Sequence, residues 1–103
     1  MKSTLIAITA CFVSTAALAG PSMSTKWSDT KLNLDRCKAR AEQALREAKF
    51  SGIKVLNYSV FAERGDYSAM VRCATDKELV FFAVAGPEVE RTSRYVDDIG
   101  DAL

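Results

Sequence analysis

The sequence predicts an α+β domain with the order α-β-β-β-α, in which helices pack on one face of a three-stranded antiparallel meander. Three observations support this fold class. Apolar residues recur with a helical period after Asn33, three runs rich in Val, Phe and Tyr follow at hairpin spacings, and a second helical period begins after Gly86-Pro87. Because no repeat interrupts this order, we expect one domain over residues 33–103.

The first helix is predicted from a stripe of apolar and small residues spaced three or four positions apart. The members of the stripe are Leu34, Cys37, Ala41, Ala44, Leu45 and Ala48. Asn33 is suited to cap the amino end with its side chain, and Gly52 is suited to end the helix. The stripe places Cys37 on the buried side of the first turn.

The three strand-like runs cover residues 53–63, 66–74 and 79–85. Loops with an even number of residues would set the hairpin register. The predicted pairs are Val60 with Ala69, Tyr58 with Val71, Cys73 with Val80, and Val71 with Phe82. One face is then almost wholly apolar, and we expect it to meet the helices; it carries Leu56, Tyr58, Val60, Ala69, Val71, Cys73, Val80, Phe82 and Val84.

The second helix follows Gly86-Pro87. Pro87 is expected at its first position, with Glu88 and Glu90 near the positive end of the helix dipole. A helical stripe continues to the carboxyl end through Val89, Thr92, Tyr95, Val96, Ile99, Ala102 and Leu103.

Residues 1–19 have the pattern of a secretory signal peptide. Lys2 precedes an apolar stretch, and Ala17-Leu18-Ala19 supplies the small side chains of a cleavage site before Gly20. The apolar stretch is shorter than the roughly 20 residues that span a bilayer, so we predict no membrane span. We expect a periplasmic or secreted protein, cleaved between Ala19 and Gly20.

A lipoprotein signal is the alternative for the same segment. Ile8-Thr9-Ala10-Cys11 resembles a lipid-attachment box, in which Cys11 would become the acylated first residue. That would strand the apolar residues 12–19 on the mature protein, so we favour removal of the whole signal. Residues 20–32, rich in Ser and Thr, would then form a flexible lead in which Trp27 is the residue most suited to dock.

The charge balance argues against nucleic acid as a partner. The chain holds 14 basic and 13 acidic residues, and removal of Lys2 with the signal leaves 13 of each. Proteins that bind nucleic acids depend on a net basic footprint, which the mature chain lacks. We therefore look for another class of partner.

Two of the three cysteines remain after the signal is removed. Cys37 and Cys73 form an even pair in a compartment that oxidises thiols, so a disulfide between them is predicted. Closing that loop should stabilise so small a domain by about 3 to 4 kcal/mol on the chain-entropy treatment.

Residue types that carry catalysis are scarce. The chain contains no histidine, and its mature thiols are expected to be oxidised, so we predict no metal site, no cofactor and no enzymatic activity. The acidic pairs Glu63 with Asp66 and Asp97 with Asp98 are interpreted as solvated surface charge.

The second sheet face is unusually apolar for a solvated surface. By the same register it displays Val55, Asn57, Ser59, Phe61, Ser68, Met70, Arg72, Leu79, Phe81 and Ala83. Arg72 would lie opposite Phe81 and beside Asn57, as a polar group among aromatic ones. We therefore predict a partner-binding surface made of Asn57, Phe61, Met70, Arg72 and Phe81. Alternatively, the second helix or the Trp27 segment covers this face.

Several segments resemble those of small exported bacterial proteins that are themselves of unknown function. The segments are residues 36–48, Ser59-Val60-Phe61, Arg64-Gly65-Asp66-Tyr67, Arg72-Cys73, and residues 81–87. The resemblance implies no activity. The leading hypothesis is an exported non-enzymatic module that binds a protein partner or itself through the second face. A small-ligand carrier or inhibitor that uses the same face is the alternative, and a small hydrolase-like enzyme is the third.

Overall fold

The computed structural model describes residues 21–103, which form an α+β domain with both helices on one face of an antiparallel sheet. The predicted cleavage site and Cys11 lie outside the described residues. The elements are β1 (Ser22–Asp29), α1 (Leu34–Glu47), β2 (Ser51–Val55), β3 (Ser59–Arg64), β4 (Tyr67–Ala74), β5 (Leu79–Gly86) and α2 (Val89–Ala102). The strand order is β1-β5-β4-β3-β2, so the described sheet has five strands where three were predicted.

The first additional strand is β1, which corrects the expectation of a flexible lead. It pairs with the whole length of β5, from Ser22 opposite Gly86 to Asp29 opposite Leu79. Pairing satisfies backbone groups that β5 would otherwise present at an open edge. The Ser and Thr content of the segment suggested disorder, but its register with β5 supplies the order.

Strand β1 is also attached to α2. The Ser24 and Thr92 hydroxyls are hydrogen bonded at 2.8 Å, and the Lys26 ammonium donates to Asp97. This hydrogen bond, with the Asp97 charge, raises the pKa of Lys26 above its ordinary value of 10.5. The folded state therefore binds the Lys26 proton more tightly than the unfolded state does. The contribution of protonated Lys26 to folding stability is complete below pH 10.5 and is lost as the pH rises through the folded pKa.

The second additional strand arises because the predicted run 53–63 divides at a turn. Leu56 N donates to Ser59 O at 2.8 Å, which closes the turn between β2 and β3. Leu56 and Tyr58, expected on the helix-facing side, are instead each 54% exposed. The turn therefore holds both side chains away from the core.

The first hairpin differs from its predicted register by two residues. Val60 pairs with Val71 rather than Ala69, because the turn is Gly65-Asp66 and Arg64 pairs with Tyr67. Gly65 has φ 57°, the positive value that two-residue hairpin turns require. Since side chains alternate with period two, the shift leaves the residues of β3 and β4 on their predicted faces, whereas Val55, predicted on the second face, pairs with inner-face Val60.

The second hairpin has the predicted register, since Cys73 pairs with Val80 and Val71 with Phe82. A single turn of 3-10 helix, Thr75–Lys77, connects its strands.

The amino end of α1 agrees with the prediction, whereas its carboxyl end and the start of α2 do not. The Asn33 side chain accepts a hydrogen bond from Arg36 N at 2.9 Å, as predicted for a cap. However, α1 ends at Glu47, Lys49 takes the left-handed conformation, and Gly52 lies within β2. Pro87 precedes the amino cap of α2 and is not its first residue.

The core lies between the helices and one sheet face, which we call the inner face. Its largest fully buried apolar side chains are Phe82, Leu45, Ile99, Val60, Val71, Val84 and Val96. The predicted disulfide between Cys37 and Cys73 is confirmed, with Cα atoms 6.1 Å apart and both residues buried. It joins the first turn of α1 to β4 in the middle of the sheet.

Removal of this disulfide should weaken the fold. We expect Cys37→Ala/Cys73→Ala to lower the free energy of unfolding by about 4 kcal/mol, because the unfolded chain regains the entropy of an open 36-residue loop. Urea denaturation measures the loss. Two titratable thiols in denatured, non-reduced wild-type protein would contradict the prediction.

A second stability prediction concerns the contact between Gly86 and Tyr67. A methyl group at Gly86 would lie 2.1 Å from Tyr67 Cδ2, and the buried Tyr67 ring packs edge-on against Tyr95 at 5.1 Å. We expect Gly86→Ala to cost about 1 to 3 kcal/mol of folding free energy, since the new methyl group would overlap the buried ring. In thermal melts, the neighbouring half-buried Ala85→Ser should be nearly neutral; equal losses would refute the contact.

Candidate interaction surface

The face of the sheet opposite the helices, here called the outer face, is uncovered within residues 21–103. Its outward positions are Met23, Thr25, Trp27, Asp29, Leu79, Phe81, Ala83, Ala85, Ser68, Met70, Arg72, Ala74, Ser59, Phe61 and Glu63. Helix α2 packs on the inner face, where Gly100 meets the Phe82 ring, and the Trp27 segment extends the sheet sideways. Neither element therefore provides the alternative cover.

A single row of paired residues crosses the middle of the outer face. Arg72 lies opposite Phe81 as predicted, Phe81 is also paired with Trp27, and Arg72 with Ser59. Directly opposed side chains in antiparallel strands are neighbours. Trp27 is 65% exposed, so the row presents an aromatic side chain to solvent at its β1 end.

Sequence reasoning missed the part of this surface that β1 contributes. The alternation Met23-Thr25-Trp27 was a usable signal for a strand, but the Ser and Thr content of the segment obscured it. Met23 is 66% exposed and Phe61, on β3, is 39% exposed. Large apolar side chains therefore reach solvent on β1 and on β3, both on the same side of the central row.

A depression lies where the outer face meets the β2–β3 turn, with a volume of about 710 Å³. It is lined by Lys38, Val55, Leu56, Asn57, Tyr58, Ser59, Phe61, Met70 and Arg72. Four of the five predicted partner-binding residues thus come together: Asn57, Phe61, Met70 and Arg72. Phe81 does not line the depression but lies opposite Arg72 on the next strand.

Two hydrogen bonds, one from β4 and one from α1, and a cation–π contact hold the turn that forms one wall of the depression. Cys73 N donates to Tyr58 O at 2.7 Å, and Lys38 Nζ donates to Leu56 O at 3.3 Å. The Arg72 guanidinium lies over the Tyr58 ring, 5.9 Å from its centroid. Lys38 directly follows Cys37 and Arg72 directly precedes Cys73, so the disulfide links the two backbone segments that carry these cations.

The charge of the depression is positive. Lys38 and Arg72 line it, and no acidic residue does. Among the described residues, the ion pairs join Lys26 to Asp97, Lys31 to Glu78, Arg46 to Glu42, and Arg91 to Glu88. Within that part of the chain, the two cations of the depression therefore lack an acidic partner.

Both edges of the sheet are poorly suited to pairing with another strand. Strand β1 carries Lys26 directed to the inner side, where it pairs with Asp97. Strand β2 is five residues long, its register shifts between Ser51 and Lys54, and Lys54 is exposed. Inward charges, short strands and bulges are the features that block edge pairing. Contact through the face is therefore favoured over strand addition.

The acidic pairs considered from the sequence do not line the depression. Glu63 pairs with Ser68 across the β3–β4 hairpin, Asp66 lies in its turn, and Asp97 contacts Lys26. Within residues 21–103, no group of three or more His, Cys, Asp or Glu side chains is arranged to hold a metal ion. Neither α1 nor α2 is long and apolar enough to cross a membrane.

Comparisons of the chain with protein-family models, with curated proteins and with solved structures give no match.

The two neighbouring phenylalanines of β5 test the assignment of the faces. Phe82→Ala should lower the free energy of unfolding by about 3 to 5 kcal/mol, because a fully buried ring is lost. Phe81→Ser, on the outer face, should cost considerably less. Urea denaturation compares the variants. A larger loss for Phe81→Ser would mean that the outer face is the true core.

Proposed function

We propose that this protein is an exported, non-enzymatic module that binds another protein across its outer face. The observation that supports the proposal is the uncovered row Trp27, Phe81 and Arg72, with exposed Met23 and Phe61 in the rows on one side of it. Trp, Phe, Met and Arg side chains are enriched where proteins meet, and exposed apolar patches of this kind mark such sites.

The disulfide indicates a setting outside the cytoplasm, since thiols are kept reduced inside it. This supports export, and with it the proposed cleavage between Ala19 and Gly20 and a periplasmic or secreted location. Intact-mass analysis of protein recovered from the periplasm should give a chain that begins at Gly20. A diacylated chain beginning at Cys11 would refute this cleavage.

The dimensions of the outer face favour a protein over a small ligand. Five strands about 4.8 Å apart, with up to eight residues at about 3.3 Å each, span roughly 19 by 26 Å. A contact of that size buries at least about 1,000 Å² over both partners, which is the lower end of specific interfaces. The face suits a partner that binds and releases, and the open depression at its rim encloses little of a small ligand.

A different protein is favoured over a second copy of this chain. Two-fold packing near the middle of the face would bring the two Arg72 side chains towards each other. The acidic outward positions, Asp29 and Glu63, lie away from the central row, on the rows that Leu79 and Ser68 occupy. A partner with an acidic contact surface avoids this repulsion.

Site-specific photocrosslinking in the cell envelope tests the proposal. A photoreactive residue at Thr25, on the outer face, should give a crosslink to a defined protein that Phe81→Ser abolishes. The same residue at exposed Ser93 on α2 is the matched control and should give none. Crosslinks of equal yield from both positions, or none from Thr25, would refute the proposal. Crosslinking to a second copy would replace the partner with self-association.

A further inference from the structure

The depression beside the outer face is lined by apolar side chains and by cationic side chains, which together suit one class of ligand. Leu56 and Tyr58 are each 54% exposed on a turn, where polar residues are usual. Lys38 and Arg72 line the same depression without an acidic neighbour. An apolar surface beside two cations is complementary to an anion that carries an apolar group.

We propose that the depression binds an acidic side chain of the partner together with the large apolar side chain next to it in sequence. This inference rests on the proposed function and names the part of the partner that the depression receives. The carboxylate would accept hydrogen bonds from Lys38 and Arg72, and the apolar side chain would pack on Leu56 and Tyr58.

Each cation retains donors for this purpose. Lys38 Nζ donates one of its three N–H groups to Leu56 O, so two remain available. The Arg72 guanidinium, 5.9 Å from the Tyr58 ring centroid, also lines the depression, and its five N–H groups have no acidic partner within residues 21–103. A carboxylate between them also relieves the repulsion of two like charges that share one site.

The geometry favours a peptide segment over a free small anion. The depression is open to solvent and continuous with the outer face through Phe61, Met70 and Arg72. A partner that lies across the face can therefore place one side chain into the depression without leaving the sheet. A free anion would gain only the two exposed cations, which salt screens readily.

Peptide titration followed by NMR of the nitrogen-labelled protein tests the inference. The probe is acetyl-Leu-Phe-Asp-Phe-amide, and its control is the same peptide with Asn for Asp. We expect the Asp peptide to shift the amide signals of Leu56, Tyr58 and Arg72, and to bind about five- to tenfold more tightly than the Asn peptide. Lys38→Gln should remove most of that difference. Equal affinities, or shifts confined to α2, would overturn the inference.

The same variant separates this inference from the function on which it rests. Lys38 belongs to α1 and is not an outer-face residue, so Lys38→Gln leaves the row Trp27, Phe81 and Arg72 intact. If the Thr25 crosslink persists in Lys38→Gln at unchanged yield and the peptides bind equally, the depression does not receive the partner although the outer face does. Absence of a Thr25 crosslink when the rest of the chain is unchanged would refute the proposed function itself.

Discussion

The bond between Cys37 and Cys73 is the constraint on which the other contacts of this domain depend. It joins the amino end of α1 to a central strand. It therefore fixes how close this end of the helix lies to the sheet and where it lies along the strands. Lys38 follows one cysteine and Arg72 precedes the other, and Cys73 N also holds Tyr58 O. The same covalent link therefore lies within the core and next in sequence to both cations of the depression.

The helices and the faces of the strands could be predicted because each depends on local periodicity. Asn33 caps α1, and the pattern of alternation assigned Phe81 and Phe82 to opposite faces, since only the parity of the position matters. The disulfide followed from counting thiols in an oxidising setting. Phe61, Met70 and Arg72 then came together because β3 and β4 are neighbours, and the turn before β3 adds Asn57.

The parts that could not be predicted depend on contacts distant in sequence. Strand β1 is ordered by its pairing with β5, 50 to 64 residues later, and its local sequence gives only a partial signal for a strand. The turn at Leu56 and Tyr58 interrupts a run whose propensity favours one continuous strand. Local pattern also places Gly52 at a helix end, whereas α1 ends at Glu47, Lys49 takes the left-handed conformation, and Gly52 lies within β2.

The pairing of β1 with β5 imposes an order of assembly on the domain. Any chain that emerges amino end first, from a ribosome or through a membrane pore, presents β1 long before its partner strand arrives. Until then Trp27 and Met23 remain unpaired and are available to chaperones that hold extended apolar segments. Closing the edge is one of the longest loop closures in the molecule, so it is expected to come late in folding. The last step of folding would thus complete the outer face.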